Sequence, residues 1–308
     1  MNIVFMGTPD FAVPCLAGIL DDGHTVSAVF TQPDRPRGRG NKLSPPPVKE
    51  FAEAREIPVH QPIALRNGKA LALLKGYSPD LIVVVAYGRL LPVDILNLPP
   101  LGCVNVHASL LPRLRGSAPI QRCIINGDTT TGVTTMYMAE GMDTGDMILQ
   151  RETSIGAEET AGELFKRLSV MGAELLGETL TLLENGTAPR TPQSDSAATY
   201  APMIEKAMGA LDFSRPAAEL VNLIRGLNPS PFAYTLYSKG RLKVHKATVI
   251  PEMHGSPGEV LDARRMIVAC GDSAIQLSII QPQGKKPMDF AAFACSGNVK
   301  TGEIFTSA

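Results

Sequence analysis

No stretch of this chain is long and apolar enough to span a bilayer. Its longest purely apolar run, Leu81 to Tyr87, falls far short of the roughly 20 residues a crossing helix needs. The opening segment, Met-Asn-Ile-Val-Phe-Met-Gly, lacks a basic region and an extended apolar core, so it reads as a first strand and not as a signal peptide. Cysteine is scarce: residues 15, 103, 123, 270 and 295 are odd in number, scattered, and without Cys-x-x-Cys spacing. That excludes a disulfide framework and a zinc site, and points to reduced, mostly buried thiols in a cytoplasmic protein. The first turn, Gly7-x-x-x-Phe11, lacks the Gly-x-Gly-x-x-Gly fingerprint, and no Gly-x-x-x-x-Gly-Lys-Ser/Thr loop occurs. A dinucleotide cofactor and the common nucleotide-phosphate loop are therefore disfavoured. Excess charge is missing too: the net formal charge is −1, which argues against non-specific nucleic-acid binding.

What is present is organised. A chain of 308 residues suggests about two domains. In the first half, Val/Ile-rich runs at 2–7, 25–31, 57–60 and 80–87 alternate with helical stretches at 11–20, 47–55 and 68–76. Such runs, with little alternation of polarity, predict a mostly parallel sheet covered by helices on both faces, a Rossmann-like α/β fold. Thr8 is placed to cap the first helix, with Pro9 at its first position. A long helix is expected at 159–186 and a short one at 217–226. Short strands at 231–237, 241–249, 257–262, 265–270 and 274–280 then predict a small C-terminal β-barrel, plausibly five-stranded and OB-like. The expected division is 1–189 for the α/β domain, 190–206 for a linker and 207–308 for the barrel.

The local chemistry concentrates at strand ends, where such sheets bind ligands. Asn105 and His107 alternate on one strand and so project from one face. A lone histidine there can equally be structural. The glycine-flanked acidic turn Met142-Asp143-Thr144-Gly145-Asp146 lies between strands expected at 132–138 and 147–155. Together Asn105, His107 and Asp143 supply a hydrogen-bond donor, a base and an orienting carboxylate, the parts needed for acyl transfer to an amine. No Ser or Cys sits in a nucleophile elbow, so direct transfer between two bound substrates fits better than a covalent acyl-enzyme. Two basic clusters stand out against the neutral average: Arg35, Arg37, Arg39, Lys42 and Lys49 against Asp34, and Arg113, Arg115 and Arg122 with no acid between 105 and 127. They read as surfaces for an anionic partner or as solvated loops.

These motifs resemble the folate-dependent formyltransferases. Asn105-x-His107-x-Ser109-Leu-Leu-Pro112, followed by Asp143-Thr-Gly-Asp, is similar to that family's signature. Gly7-Thr-Pro-Asp-Phe11, the loop Phe30-Thr-Gln-Pro-Asp-Arg-Pro-Arg-Gly-Arg-Gly40, and Arg113-x-Arg115-Gly116-x-x-Pro119-Ile-Gln-Arg122 narrow the likeness. They point to the branch that formylates initiator methionyl-tRNA, and the resemblance runs over essentially the whole chain.

The resemblance implies catalysis by Asn105, His107 and Asp143, with 10-formyltetrahydrofolate as formyl donor and no metal. It places the folate against Tyr87, Gly88, Arg89, Leu90 and Leu91 and against Ser109, Leu110, Leu111 and Pro112. It assigns tRNA contacts to Arg35, Arg37, Arg39, Lys42, Arg113, Arg115, Lys206 and Lys243, with Arg39 foremost. Lys239, Arg241 and Lys246 flank Lys243 on the same hairpin. The loop at 33–42, rich in Pro and Gly, is expected to be mobile in isolation. A monomer acting in translation initiation is expected. The chain departs from the family in having no Trp, with Leu114 and Ser230 at positions where the family often carries one, and in a less basic linker. Two alternatives stay open: a formyltransferase acting on a sugar-nucleotide amine, and an inactive RNA-binding relative.

Overall fold

The apolar runs do form strands. The computed structural model describes residues 1–37, 42–66, 68–295 and 297–307. In chain order the first elements are β1 (Asn2–Gly7), α1 (Val13–Asp21), β2 (Thr25–Phe30), β3 (Arg35–Arg37), β4 (Lys42–Ser44), α2 (Pro47–Glu53), β5 (Val59–His60), α3 (Lys69–Tyr77) and β6 (Leu81–Val85). There follow α4 (Val93–Leu96), β7 (Cys103–His107), α5 (Pro119–Ile125), β8 (Thr130–Tyr137), β9 (Met147–Ser154) and α6 (Ala161–Glu184). The remainder holds α7 (Ala217–Gly226), β10 (Ala233–Tyr237), β11 (Gly240–Ile250), β12 (Val260–Asp262), β13 (Ile267–Ala269), β14 (Ala274–Pro282), β15 (Met288–Asp289) and α8 (Phe290–Cys295). Two compact units result: Met1–Pro119, Thr130–Ser154 and Phe165–Ala201 form one, and Ile120–Thr129, Ile155–Leu164 and Pro202–Ala308 the other.

The first unit is built on a seven-stranded sheet of order β5-β2-β1-β6-β7-β8-β9. Its first five strands run parallel, while β7/β8 and β8/β9 pair antiparallel. The chain moves outward from β1 through β2 to β5, then returns to lay β6 on the other side of β1. Strand order therefore reverses between β1 and β6, where Gly7 pairs with Val85. Crevices beyond such a switch point are where ligands of open α/β sheets bind. Alternate strand residues build separate cores on the two faces. Val4, Met6, Phe30, Ile82 and Val84 cluster with Ala70 and Leu74 of α3 and Ile95 and Leu96 of α4. On the other face α6 lies close over β7 and β8, since a Cβ at Gly172 would reach Val106 at 3.0 Å and Val133 at 3.6 Å.

The second unit is a six-stranded antiparallel sheet of order β10-β11-β14-β13-β12, with β15 on β14. One more strand is present than the pattern suggested, because the two-residue β15 is too short to leave a periodic signal. The sheet curls around an apolar core that includes Leu223 and Ile224 of α7, Leu242, Val244, Ile275, Leu277, Phe293 and Phe305. Its open side is bridged by the chain end: Leu236 and Thr306 exchange backbone hydrogen bonds of 2.9 and 3.1 Å, and Val260 N–H donates to the Glu303 carbonyl at 2.8 Å. The side chain of Asp272 caps α7 through the Ala217 N–H at 2.9 Å. That bond holds the Asp272 carboxyl below its ordinary range.

One local expectation is revised, and two local features join it. Thr8 does not cap the first helix; its hydroxyl donates to the Tyr87 carbonyl at 3.3 Å, tying the loops after β1 and β6 together. At the base of the basic loop β3 and β4 pair antiparallel from Arg35↔Ser44 to Arg37↔Lys42. Residues 190–201 pack as part of the first unit: Met147 and Thr191 exchange backbone hydrogen bonds of 2.9 and 3.0 Å.

Candidate active site

Strand β7 is central in its sheet and fully buried, so its two polar residues stand out. Asn105 pairs with Met136 and His107 with Thr134 across β8, placing both side chains on one face. Asn105 is 9% exposed, and its side-chain amide has no hydrogen-bond partner among the described residues. His107 is 6% exposed. Its Nε2 lies 3.0 Å from the Leu114 carbonyl oxygen, which can only accept. Its Nδ1 lies 3.6 Å from Oδ2 of Asp143. Both ring nitrogens thus face oxygen atoms, one at hydrogen-bond distance and one just beyond it.

The Asp143 carboxylate arrives from the turn between β8 and β9. Asp143 adopts φ +54, a left-handed conformation that Asp tolerates better than most residues. Its Oδ2 also accepts the Gly116 N–H at 2.7 Å. The turn presses against the end of β8, because a Cβ at Gly145 would come within 1.8 Å of the Tyr137 carbonyl. Only glycine fits there. Gln193 closes the turn from the other side, its Nε2 donating to the carbonyls of Asp143 at 2.9 Å and Gly145 at 2.8 Å.

The segment 109–118 wraps round the histidine and is held at many points. Thr134 Oγ1 donates to the Ser109 carbonyl at 2.6 Å and accepts the Leu111 N–H at 3.1 Å. Gln150 Nε2 donates to the Leu111 carbonyl at 2.8 Å and to Thr134 Oγ1 at 3.0 Å. Thr199 Oγ1 accepts the Leu114 N–H at 2.9 Å, and the Arg115 and Ala201 amides extend that ladder. Thr134, Gln150, Gln193 and Thr199 escaped sequence reasoning. They lie 16 to 85 residues from their partners, so no local pattern marks them.

The residues expected to hold folate divide. In the turn after β6, Ala86 and Gly88 take positive φ, +47 and +81. Tyr87 faces inward: its side chain belongs to the core on the α3/α4 face, and its buried hydroxyl lacks a partner. Burial raises the Tyr87 hydroxyl above the ordinary tyrosine value, an effect partly offset by the charge of Arg89. Arg89 is spent on the scaffold, donating to Gln32 Oε1 at 3.2 Å and to the Pro62 and Ile63 carbonyls. Leu91 is buried, whereas Leu90 is 55% exposed. Of the second segment, Ser109 and Leu111 are buried, and Leu110 and Pro112 are half-buried.

The basic residues divide as well. Arg35 and Arg113 are exposed in the first unit, and Lys206 in the second. Lys243 is half-buried with its ammonium 5.3 Å from the Phe232 ring centroid, and Arg241 lies 4.1 Å over Tyr234. Lys246 pairs with Glu158 at 2.8 Å. Arg37 and Lys42 lie on β3 and β4. Arg39 lies outside the described residues. Arg115, expected at the surface, is buried: its Nε donates to Gln193 Oε1 at 3.0 Å and its terminal nitrogen to Asp195 at 2.9 Å. Among the described residues no cluster of His, Cys, Asp and Glu could hold a metal ion.

Two family models match the chain. The model for the formyl transferase family matches residues 1–180, and that for the formyl transferase C-terminal domain matches residues 203–298. A methionyl-tRNA formyltransferase of Alkaliphilus oremlandii is 49% identical over 99% of both chains. Among solved structures, an N-formyltransferase from Helicobacter canadensis in complex with folinic acid and dTDP-3-aminofucose superposes with a TM-score of 0.67. It is 19% identical, over 89% of this chain and 98% of that one. HypX from Aquifex aeolicus in complex with tetrahydrofolic acid gives 0.62 at 18% identity, over 95% of this chain. This chain spans only 46% of that longer protein. At these identities the two structures attest the fold.

Proposed function

The chain belongs to the formyl transferase family through both of its parts, and from that premise we propose that it transfers the formyl group of 10-formyltetrahydrofolate to the α-amino group of methionine on initiator methionyl-tRNA. The full-length relatives near 50% identity carry that name, whereas the sugar-acting enzyme is a distant fold neighbour. The observation that carries the reading is the approach of the buried Asn105 and His107 to the half-buried Asp143 carboxylate.

The unpaired amide of Asn105 fits a carbonyl-type oxygen, the group that gains negative charge as an amine adds to a formyl carbon. The exposed Leu90 and the backbone turn at Gly88 fit the flat, apolar face of a pterin, together with Leu110 and Pro112. Arg89 and the Tyr87 ring support that turn from behind. The folate, when bound, supplies an activated formyl group. Asn105 donates to the developing oxyanion, and His107, held by the Leu114 carbonyl, adds positive charge beside it. Asp143 stabilises that charge and accepts the amine proton directly or through water. Arg35, Arg37, Arg39, Lys42, Arg113, Lys206 and Lys243 are the candidate contacts to RNA phosphates, and binding through them weakens with salt. Catalysis by direct transfer in a cytoplasmic monomer completes the proposal.

The test is a formyl-transfer assay with initiator and elongator methionyl-tRNA and with an amino-sugar nucleotide. Formylation strongly preferring the initiator species is expected. Transfer to the sugar amine, or to neither RNA, would refute the assignment.

A further inference from the structure

Within the first unit, the acidic turn is anchored firmly at one end and lightly at the other. At Gly145 and Asp146 it is pinned to β8, where Tyr137 N–H donates to the Asp146 carbonyl at 2.9 Å. At Asp143 the backbone stands in a left-handed conformation that a non-glycine residue does not prefer. Its backbone is held by a side-chain amide: Gln193 Nε2 bridges the Asp143 and Gly145 carbonyls, spanning Thr144. The orientation of that amide is in turn dictated. Arg115 Nε donates to Gln193 Oε1 at 3.0 Å, so the amide nitrogen must face the turn. Arg115 is itself 2% exposed and fixed by Asp195, and its backbone sits in the ladder with residues 199–201. A buried guanidinium of this kind is rigid because every alternative position strands its charge.

We infer that Gln193, backed by Arg115, is a positioning residue that sets the Asp143 carboxylate against His107. The inference rests on the reading of Asp143 as a participant in transfer. Gln193 touches neither His107 nor Asn105 in any described contact; it acts on the reacting group through the turn backbone. The Gly116 N–H, the other group holding the Asp143 carboxylate, directly follows Arg115, so one residue governs both supports. The role assigned to Arg115 thereby moves from RNA contact to preorganisation of the site. A displacement of even 1 Å at a catalytic group is costly in rate.

The experiment measures kcat and both KM values for Gln193→Ala and Gln193→Met, alone and combined with Asp143→Asn. We expect each Gln193 variant to lower kcat about tenfold, with both KM values within about threefold of the parent. In the Asp143→Asn background, removal of Gln193 should change kcat by less than twofold, because the group it positions is already gone. Parent-like kcat in Gln193→Ala overturns the inference. So does a full tenfold further loss in the double variant, which would place Gln193 on a different route. Gln193→Met preserves side-chain volume, so it keeps the comparison intact if the alanine variant folds poorly. Arg115→Lys, which keeps the charge but not the fork, should fall between parent and Gln193→Ala; parent-like turnover there refutes the part assigned to Arg115. If Asp143→Asn alone turns over normally, the functional reading of the trio fails, an outcome distinct from any of these.

Discussion

Replacing Asn105 by alanine separates catalysis from folding unusually well. The residue sits on a central strand whose backbone pairs with Val84 on one side and Met136 on the other, and alanine leaves both ladders intact. Its side-chain amide bonds no described protein group, so its loss orphans nothing in the scaffold. Stability should therefore change by no more than about 1 kcal/mol, the range expected when no buried partner is abandoned. The rate should change far more. Losing one preorganised donor to an oxyanion costs about 2.7–4 kcal/mol, or roughly a hundred- to a thousandfold in kcat. His107→Ala is less clean, because it strips the Leu114 carbonyl of its donor and removes the ring that faces the half-buried Asp143 carboxylate. The assay is initial-rate formylation at saturating folate and charged tRNA, with a thermal melt run on the same preparation. A variant that keeps kcat within threefold of the parent, or loses melting temperature in proportion to rate, would refute the reasoning.

Thr134→Val removes a hydroxyl that serves Ser109, Leu111 and Gln150 at once, leaving a buried carbonyl and N–H unpaired. At about 1–3 kcal/mol for each orphaned group the loss should be about 2–6 kcal/mol, lowering the melting temperature by about 5–20 °C; an unchanged melt contradicts this. Burial pushes the thiols of Cys15, Cys103 and Cys270 up to about 12, and Cys123 is buried as well. A disulfide reagent at pH 8 should then titrate one thiol, Cys295, in the native protein and five after denaturation, and rapid reaction of more than one native thiol would disprove the packing. Arg39→Ala should raise the KM for charged tRNA several-fold more than that for the folate, measured at fixed ionic strength because phosphate contacts are salt-sensitive. Equal effects on both substrates would remove Arg39 from the RNA surface.

Much of this architecture could be read from the order of residues. Runs such as Leu81–Val85 are β-branched and unalternating because both faces of their sheet are covered, a demand that every residue of the run records. The long helix α6 announces its own start, with Thr160 and Glu163 bonding each other's backbone amides at 2.9 and 3.3 Å. Even the candidate pair was local, since the two-residue period of a strand puts Asn105 and His107 on one face whatever lies elsewhere.

Other features left no such mark. The closing of the C-terminal sheet by residues 303–306 depends on edges of two strands tens of residues upstream. Thr8 had a capping sequence, yet its hydroxyl went to Tyr87 because the switch point brought that carbonyl within reach. Arg115 carries the composition of a surface arginine, but the 193–201 segment folds over it and turns it into an internal brace. Period and turn chemistry are short-range and are written wherever they act; they marked most of the strands and helices and put Asn105 and His107 on one face. The 3.6 Å approach of Asp143 to His107 and the amide that holds it join segments 36 to 50 residues apart. Contacts at that separation depend on where the sheet carries the chain, so only the tertiary structure could decide them.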